Sequence, residues 1–107
     1  MTAHMRTLVK PKKGEAAKMR RARKRLADAK LAANAVLVRE RDGNTCRWCG
    51  DPHGVEVHHI VYRSRGGKHD TSNLICLCAE CHREVHAGRI FVSGNADINH
   101  DLVMKLG

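Results

Sequence analysis

A chain of 107 residues with only three aromatics, Trp48, Tyr62 and Phe91, amounts to one small domain with or without an arm; it is short of core material, and its five cysteines and eight histidines offer a staple instead. Its net charge of +9 sits at one end, since residues 1–41 hold 13 Lys and Arg against three acids and residues 42–107 hold seven against eight, which points to a polyanionic partner, nucleic acid before anionic membrane. No apolar run reaches the roughly 18 residues of a membrane span and the first residues lack a signal-peptide core, so a soluble cytoplasmic protein is expected, in which paired cysteines are metal ligands rather than disulfides.

Residues 1–13 read as a flexible basic lead ending in Pro11-Lys12-Lys13. A basic helix follows within residues 14–43. Its run 15–41 is rich in Ala, Leu, Met, Lys and Arg and has no Pro or Gly until Asp42-Gly43 stops it. Met19, Ala22, Leu26, Ala29, Ala33 and Val36 recur at three- and four-residue steps and predict one apolar stripe. The stripe is mostly alanine. It suits a solvated helix docked by its C-terminal end, a helix that tracks DNA, or a dimerisation helix; a monomer or weak dimer is expected.

Residues 44–107 read as the domain proper, built of short elements. Cys46-Arg47-Trp48-Cys49-Gly50 is a knuckle. Val55–Val61 reads as a strand, Arg63–Ser72 as a polar loop holding Gly66-Gly67, and Leu74–Leu77 as a second strand. Cys78–Ala87 reads as a short helix stopped by Gly88, Arg89–Val92 as a strand, and the region of Asp101–Lys105 as a last short helix.

Cys46-x2-Cys49 and Cys78-x2-Cys81 form a pair of pairs, a spacing at which all four thiolates reach one tetrahedral ion. Four soft ligands with no open position select structural zinc. Cys78 and Cys81 open a helix, where the dipole favours thiolate. Cys76 reads as a small buried hydrophobe.

The histidines form a second pattern. His58-His59 are adjacent on the first strand, so their rings leave on opposite faces. His82 and His86 are four apart on the helix and share a face. Ordinary surface or core histidines are the plain alternative. A two-Cys, two-His finger from Cys46, Cys49, His82 and His86 is excluded by its 32-residue gap, far beyond the ~12 residues of such fingers. Glu56 lies on the same strand face as His58, either as a partner that fixes a histidine tautomer or as a plain surface glutamate.

The stretches Val57-His58-His59-Ile60-Val61, Thr71-Ser72-Asn73-Leu74 and Cys81-His82-Arg83-Glu84-Val85-His86, with the Arg-Asp-Gly lead into Cys46 and the Arg-Ser-Arg-Gly-Gly loop, resemble the HNH endonucleases of the His-Me finger superfamily, above all the small stand-alone members of phages and prophages. The resemblance implies an α+β fold. It is a small ββα-metal, treble-clef-like finger stapled by zinc, with the long basic helix before it. It assigns His59 as general base, His58 and His82 as ligands of a catalytic divalent ion (Mg, Mn, Ni, Co or Zn), His86 as a further ligand, and Asn73 as the residue that ties the loop and orients the base. Tyr62 stands where many relatives have proline. DNA is the implied partner and phosphodiester hydrolysis to 5′-phosphate and 3′-hydroxyl ends the implied reaction. Arg63, Arg65 and Lys68 beside the base, and Arg20, Arg21, Arg23, Lys24 and Arg25 on the helix, are candidate phosphate contacts. The competing readings are a non-catalytic zinc module that binds nucleic acid and an accessory subunit, for instance of a phage terminase that packages DNA.

Overall fold

The computed structural model describes residues 12–107, so most of the expected basic lead lies outside the described residues. The fold is α+β. Helix α1 spans Glu15–Arg41, strand β1 Val55–His59, strand β2 Leu74–Cys78, helix α2 Ala79–His86, strand β3 Ile90–Ser93 and strand β4 Val103–Leu106. Single 3-10 turns at Arg63–Arg65 and Thr71–Asn73 interrupt the connection between β1 and β2. The described residues contain no helix long and apolar enough to cross a membrane.

Strands β1 and β2 pair antiparallel, with Val55 opposite Cys78 and His59 opposite Leu74. All five residues of β2 are buried, because both of its faces are covered. Leu74 and Cys76 meet Val38 of α1 on one side. Ile75 and Leu77 pack with Cys46, Cys78, Cys81, Ile90 and Ala96 on the other. A five-residue strand thus carries two small apolar layers, which is how a chain with so few aromatics still forms a core.

Helix α1 docks by its C-terminal turns, but not on the expected stripe. Met19, Leu26 (72% exposed) and Val36 face solvent, whereas Leu31 and Val38 pack on the strands. Alanine offers too little area to decide the face. Polar reach decides it: Asn34 Nδ2 donates to His69 O at 2.7 Å, Arg39 to Val55 O at 3.1 Å, and Arg41 to Thr71 O at 2.9 Å and Leu74 O at 2.6 Å.

Asp42, expected only as a stop, is an anchor. Its carboxylate accepts from Arg41 Nε at 2.8 Å, Arg47 Nη1 at 2.8 Å and the Cys76 amide at 2.9 Å. Burial alone would raise its pKa, but these donors hold it below the usual carboxylate value. The helix end, the cysteine knuckle and β2 are thereby joined at one buried charge.

Strand β1 is shorter than the apolar run suggested: Ile60 N still bonds Asn73 O, but the Val61 amide is taken by the Asn73 side chain. The expected helix near Asp101–Lys105 is instead strand β4, paired with β3 from Val103 opposite Ser93 to Leu106 opposite Ile90. The period is two, not 3.6: Leu102 and Met104 turn toward the core while Val103 and Lys105 face out.

Candidate active site

Two clusters of potential ligands flank α2. In the first, sulfurs of Cys46, Cys49, Cys78 and Cys81 lie within 4.8 Å of one another. Local backbone geometry builds each half. The amides of Trp48 and Cys49 point at Cys46 Sγ at 3.4 and 3.5 Å, and Cys78 caps α2 by accepting from the Cys81 amide at 3.4 Å. Burial opposes ionisation of Cys46, yet backbone amides bring it down to about 7. Burial and the neighbouring thiols push Cys81 the other way. Four crowded sulfurs, each pair set by two intervening residues, suit one soft cation with no position left open. Cys76 lies outside the cluster: it is fully buried, and burial raises its thiol to about 11.

The second cluster gathers His58 from β1 with His82 and His86 from α2, again within 4.8 Å. His82 Nε2 and His86 Nε2 are 2.9 Å apart, and the His58 ring lies 4.9 Å from His82 and 5.5 Å from His86. His58 is 3% exposed, and burial followed by the neighbouring histidines lowers its pKa to about 4, so it is neutral near pH 7. Its Nε2 is the one buried side-chain nitrogen or oxygen among the described residues with no hydrogen-bond partner. His58 offers a ring nitrogen within 4.8 Å of those of His82 and His86, as a metal ligand would, and its unpartnered buried Nε2 carries a desolvation cost. Glu56 Oε2 accepts from His82 Nδ1 at 2.5 Å. That bond fixes His82 with its proton on Nδ1 and its Nε2 lone pair turned into the cluster.

The adjacent rings of β1 diverge. His58 turns toward α2, and His59 turns toward the loop, where its Nε2 lies 2.9 Å from His69 Nδ1. Both border one open cleft of about 360 Å³, together with Tyr62, Arg63, His82 and His86. Burial, then His69 and Arg63, lower the His59 pKa and favour its neutral form. Tyr62 has φ −62°, the value proline would impose, so the strand exit is kept without proline. Its ring stacks on His86 at 5.1 Å, a wall that proline could not supply.

Asn73 holds the loop by three bonds: Oδ1 accepts from Val61 N at 2.8 Å, and Nδ2 donates to Val61 O at 3.1 Å and Lys68 O at 2.9 Å. Gly67 is required by space, since a Cβ there would lie 1.8 Å from Val61 O. Arg63, Arg65 and Lys68 are exposed; Arg63 borders the histidine cleft, and Arg65 borders a neighbouring one with Phe91 and Ile90. Arg20, Arg21, Arg23, Lys24 and Arg25 are all exposed on the undocked part of α1, with Lys24 paired to Asp28 at 2.9 Å. Sequence reasoning missed His69. Its signal was faint: one more histidine, just past the Gly-Gly turn that folds the loop back onto β1.

Residues 46–88, which include both clusters, match the family model described as HNH endonuclease. Over 37 residues, 35% of this chain, it is 49% identical to the type IV methyl-directed restriction enzyme EcoKMcrA of Escherichia coli, and spans only 13% of that enzyme. Over 54 residues, 50% of this chain, it is 30% identical to anaredoxin of a Nostoc species and spans 71% of that protein. HNH domains are associated with nuclease or DNA-binding activity. With the cysteine pairs, β1, β2 and α2 all inside the matched segment, this chain belongs to the HNH endonuclease family.

Proposed function

We propose that the chain is a metal-dependent DNA endonuclease. One zinc ion on Cys46, Cys49, Cys78 and Cys81 is structural, and a divalent ion on His58, His82 and His86 serves catalysis. The observation that carries the reading is the orphaned Nε2 of His58 in the histidine cluster, with the His59 ring bordering the same cleft.

When bound, the histidine-held ion supplies Lewis acidity toward the phosphate and its departing oxygen. His59, neutral at working pH, takes the proton of the attacking water. Arg63, at the rim of the cleft, contacts the phosphate backbone, with Arg65 and Lys68 extending the same basic loop. Asn73 keeps that loop in register with β1. The exposed arginines of α1 add affinity that falls with salt and reads no bases. The P–O3′ bond breaks, leaving 5′-phosphate and 3′-hydroxyl ends. One centre makes one cut, so the elementary event is a nick.

The test is nicking of supercoiled plasmid with Mn²⁺ or Ni²⁺, with and without EDTA. His59→Ala is expected to lower the rate by about 100-fold or more while DNA binding and metal content stay unchanged. Plasmid that is bound but never nicked, with any divalent ion, would leave a DNA-binding module in place of an enzyme.

A further inference from the structure

We propose that His69 is a positioning residue for His59, accepting a hydrogen bond at its Nδ1 from His59 Nε2–H and so leaving the His59 Nδ1 lone pair free to take a proton from water. The proposal rests on the nuclease reading above and names the group that orients its base.

The two nitrogens are 2.9 Å apart, with the rings 68° from coplanar. Among the described residues, His69 is the hydrogen-bond partner of the His59 ring. A neutral imidazole has one donor and one acceptor nitrogen, so a contact between two neutral rings holds a single proton. If His69 donated it, His59 would carry its own proton on Nδ1 and have no lone pair left for water. If His59 donates, the opposite holds: Nδ1 is the free base, and the ring is pinned through its other end. Only the second arrangement serves a base. It also sets His69 as the Nε2–H tautomer.

The loop holds His69 firmly enough for this task. Its carbonyl accepts from Asn34 Nδ2 at 2.7 Å. On one side the Lys68 carbonyl accepts from Asn73 Nδ2 at 2.9 Å, and on the other Asp70 is paired with Lys30 at 2.6 Å. Asp70 O also accepts from the Asn73 amide at 2.9 Å. Helix α1 therefore reaches the site through Lys30 and Asn34, which fasten the loop that carries the partner of the base. A group held within hydrogen-bond reach on both flanks orients its neighbour without reorganising at each turnover.

The test compares His69→Ala, His69→Asn and His69→Gln in the full zinc-loaded chain, using supercoiled plasmid and Mn²⁺. His69→Ala is expected to lower kcat by about 10- to 100-fold with KM for plasmid and Mn²⁺ uptake unchanged, and added imidazole restores part of the loss. Asn places an acceptor near the position of Nδ1 and recovers more of the rate than Gln, whose amide sits near Nε2. Nitrogen-15 NMR of the His59 ring in the wild-type chain is expected to show the Nε2–H tautomer, lost in His69→Ala. Should His69→Ala fail to fold, the Asn and Gln variants and the tautomer still decide. Wild-type nicking by His69→Ala beside a dead His59→Ala overturns the positioning role and leaves the nuclease reading standing. Equal rates for Asn and Gln, or a His59 Nδ1–H tautomer in the wild-type chain, overturn it too. If the wild-type chain fails to nick plasmid with any divalent ion, the nuclease reading fails by itself, and the NMR result alone judges the hydrogen bond.

Discussion

The cysteine and histidine clusters share one eight-residue helix and differ in almost every physical respect. Three of the four cysteines are buried, backbone amides point at their sulfurs, and each pair is fixed by its own tight turn. The histidines grade from buried His58 through half-buried His82 to exposed His86, and their open side faces a cleft with His59 and Arg63. A closed, saturated donor set is suited to holding a fold together, and an incomplete, accessible one to admitting a substrate. The same α2 supplies both because residues one apart on a helix leave about 100° apart, as Cys81 and His82 do.

Removing one sulfur gives the sharpest contrast between the clusters. Cys81→Ser is expected to abolish cooperative melting, since structural zinc contributes on the order of 10 kcal/mol to folding small metal domains. His82→Ala is expected to melt near the parent temperature and to lose Mn²⁺ uptake and nicking. Calorimetry and metal analysis of the two variants check this; a His82→Ala chain as unfolded as Cys81→Ser would erase the distinction.

Asp42→Asn should come next, at about 3 kcal/mol, because it leaves Arg41 and Arg47 without their shared buried charge. The folded pKa of Asp42 lies below its unfolded value, so its contribution is complete above pH ~4 and is lost as pH falls through the lower folded value. Urea denaturation across pH 2–7 should therefore show a flatter acid limb in the variant.

The smallest effect is expected at the undocked helix. Changing Arg20, Arg21, Arg23 and Arg25 to Gln should leave melting unchanged and reduce the log–log salt slope of DNA binding by up to about 0.9 for each phosphate no longer neutralised. A slope identical to the parent would mean that these residues do not touch DNA.

Much of the architecture was legible in the sequence. The uninterrupted run of helix formers marks α1, the doubled Cys-x2-Cys spacing marks the sulfur cluster, and the His58-His59 and His82/His86 spacings lead to the histidine cluster. The docking face of α1 was not legible, because an alanine stripe carries little energy and the polar side chains of Lys30, Asn34 and Arg41 chose the face through partners far along the chain. Strand β4 was misread because four residues are too few to separate periods of two and 3.6. His69 escaped because its contact with His59 is made by a fold-back across the loop, which no local spacing records. Asp42 looked like punctuation because only the tertiary fold brings Arg47 and Cys76 to it.

Helix α1 leaves the folded body with only its last turns docked, in a molecule 56 Å long and about half as wide. Charge on a loose tail samples every direction, but charge on a rod is held at one distance and bearing. From Arg20 to Lys30 that rod rises about 15 Å, so a polyanion bound along it, as proposed above, would be presented to the cleft at a fixed offset. The helix is in that sense a gauge: shortening it by one turn would move the charge by about 5 Å and rotate it little, whereas removing two residues would swing it to the far side.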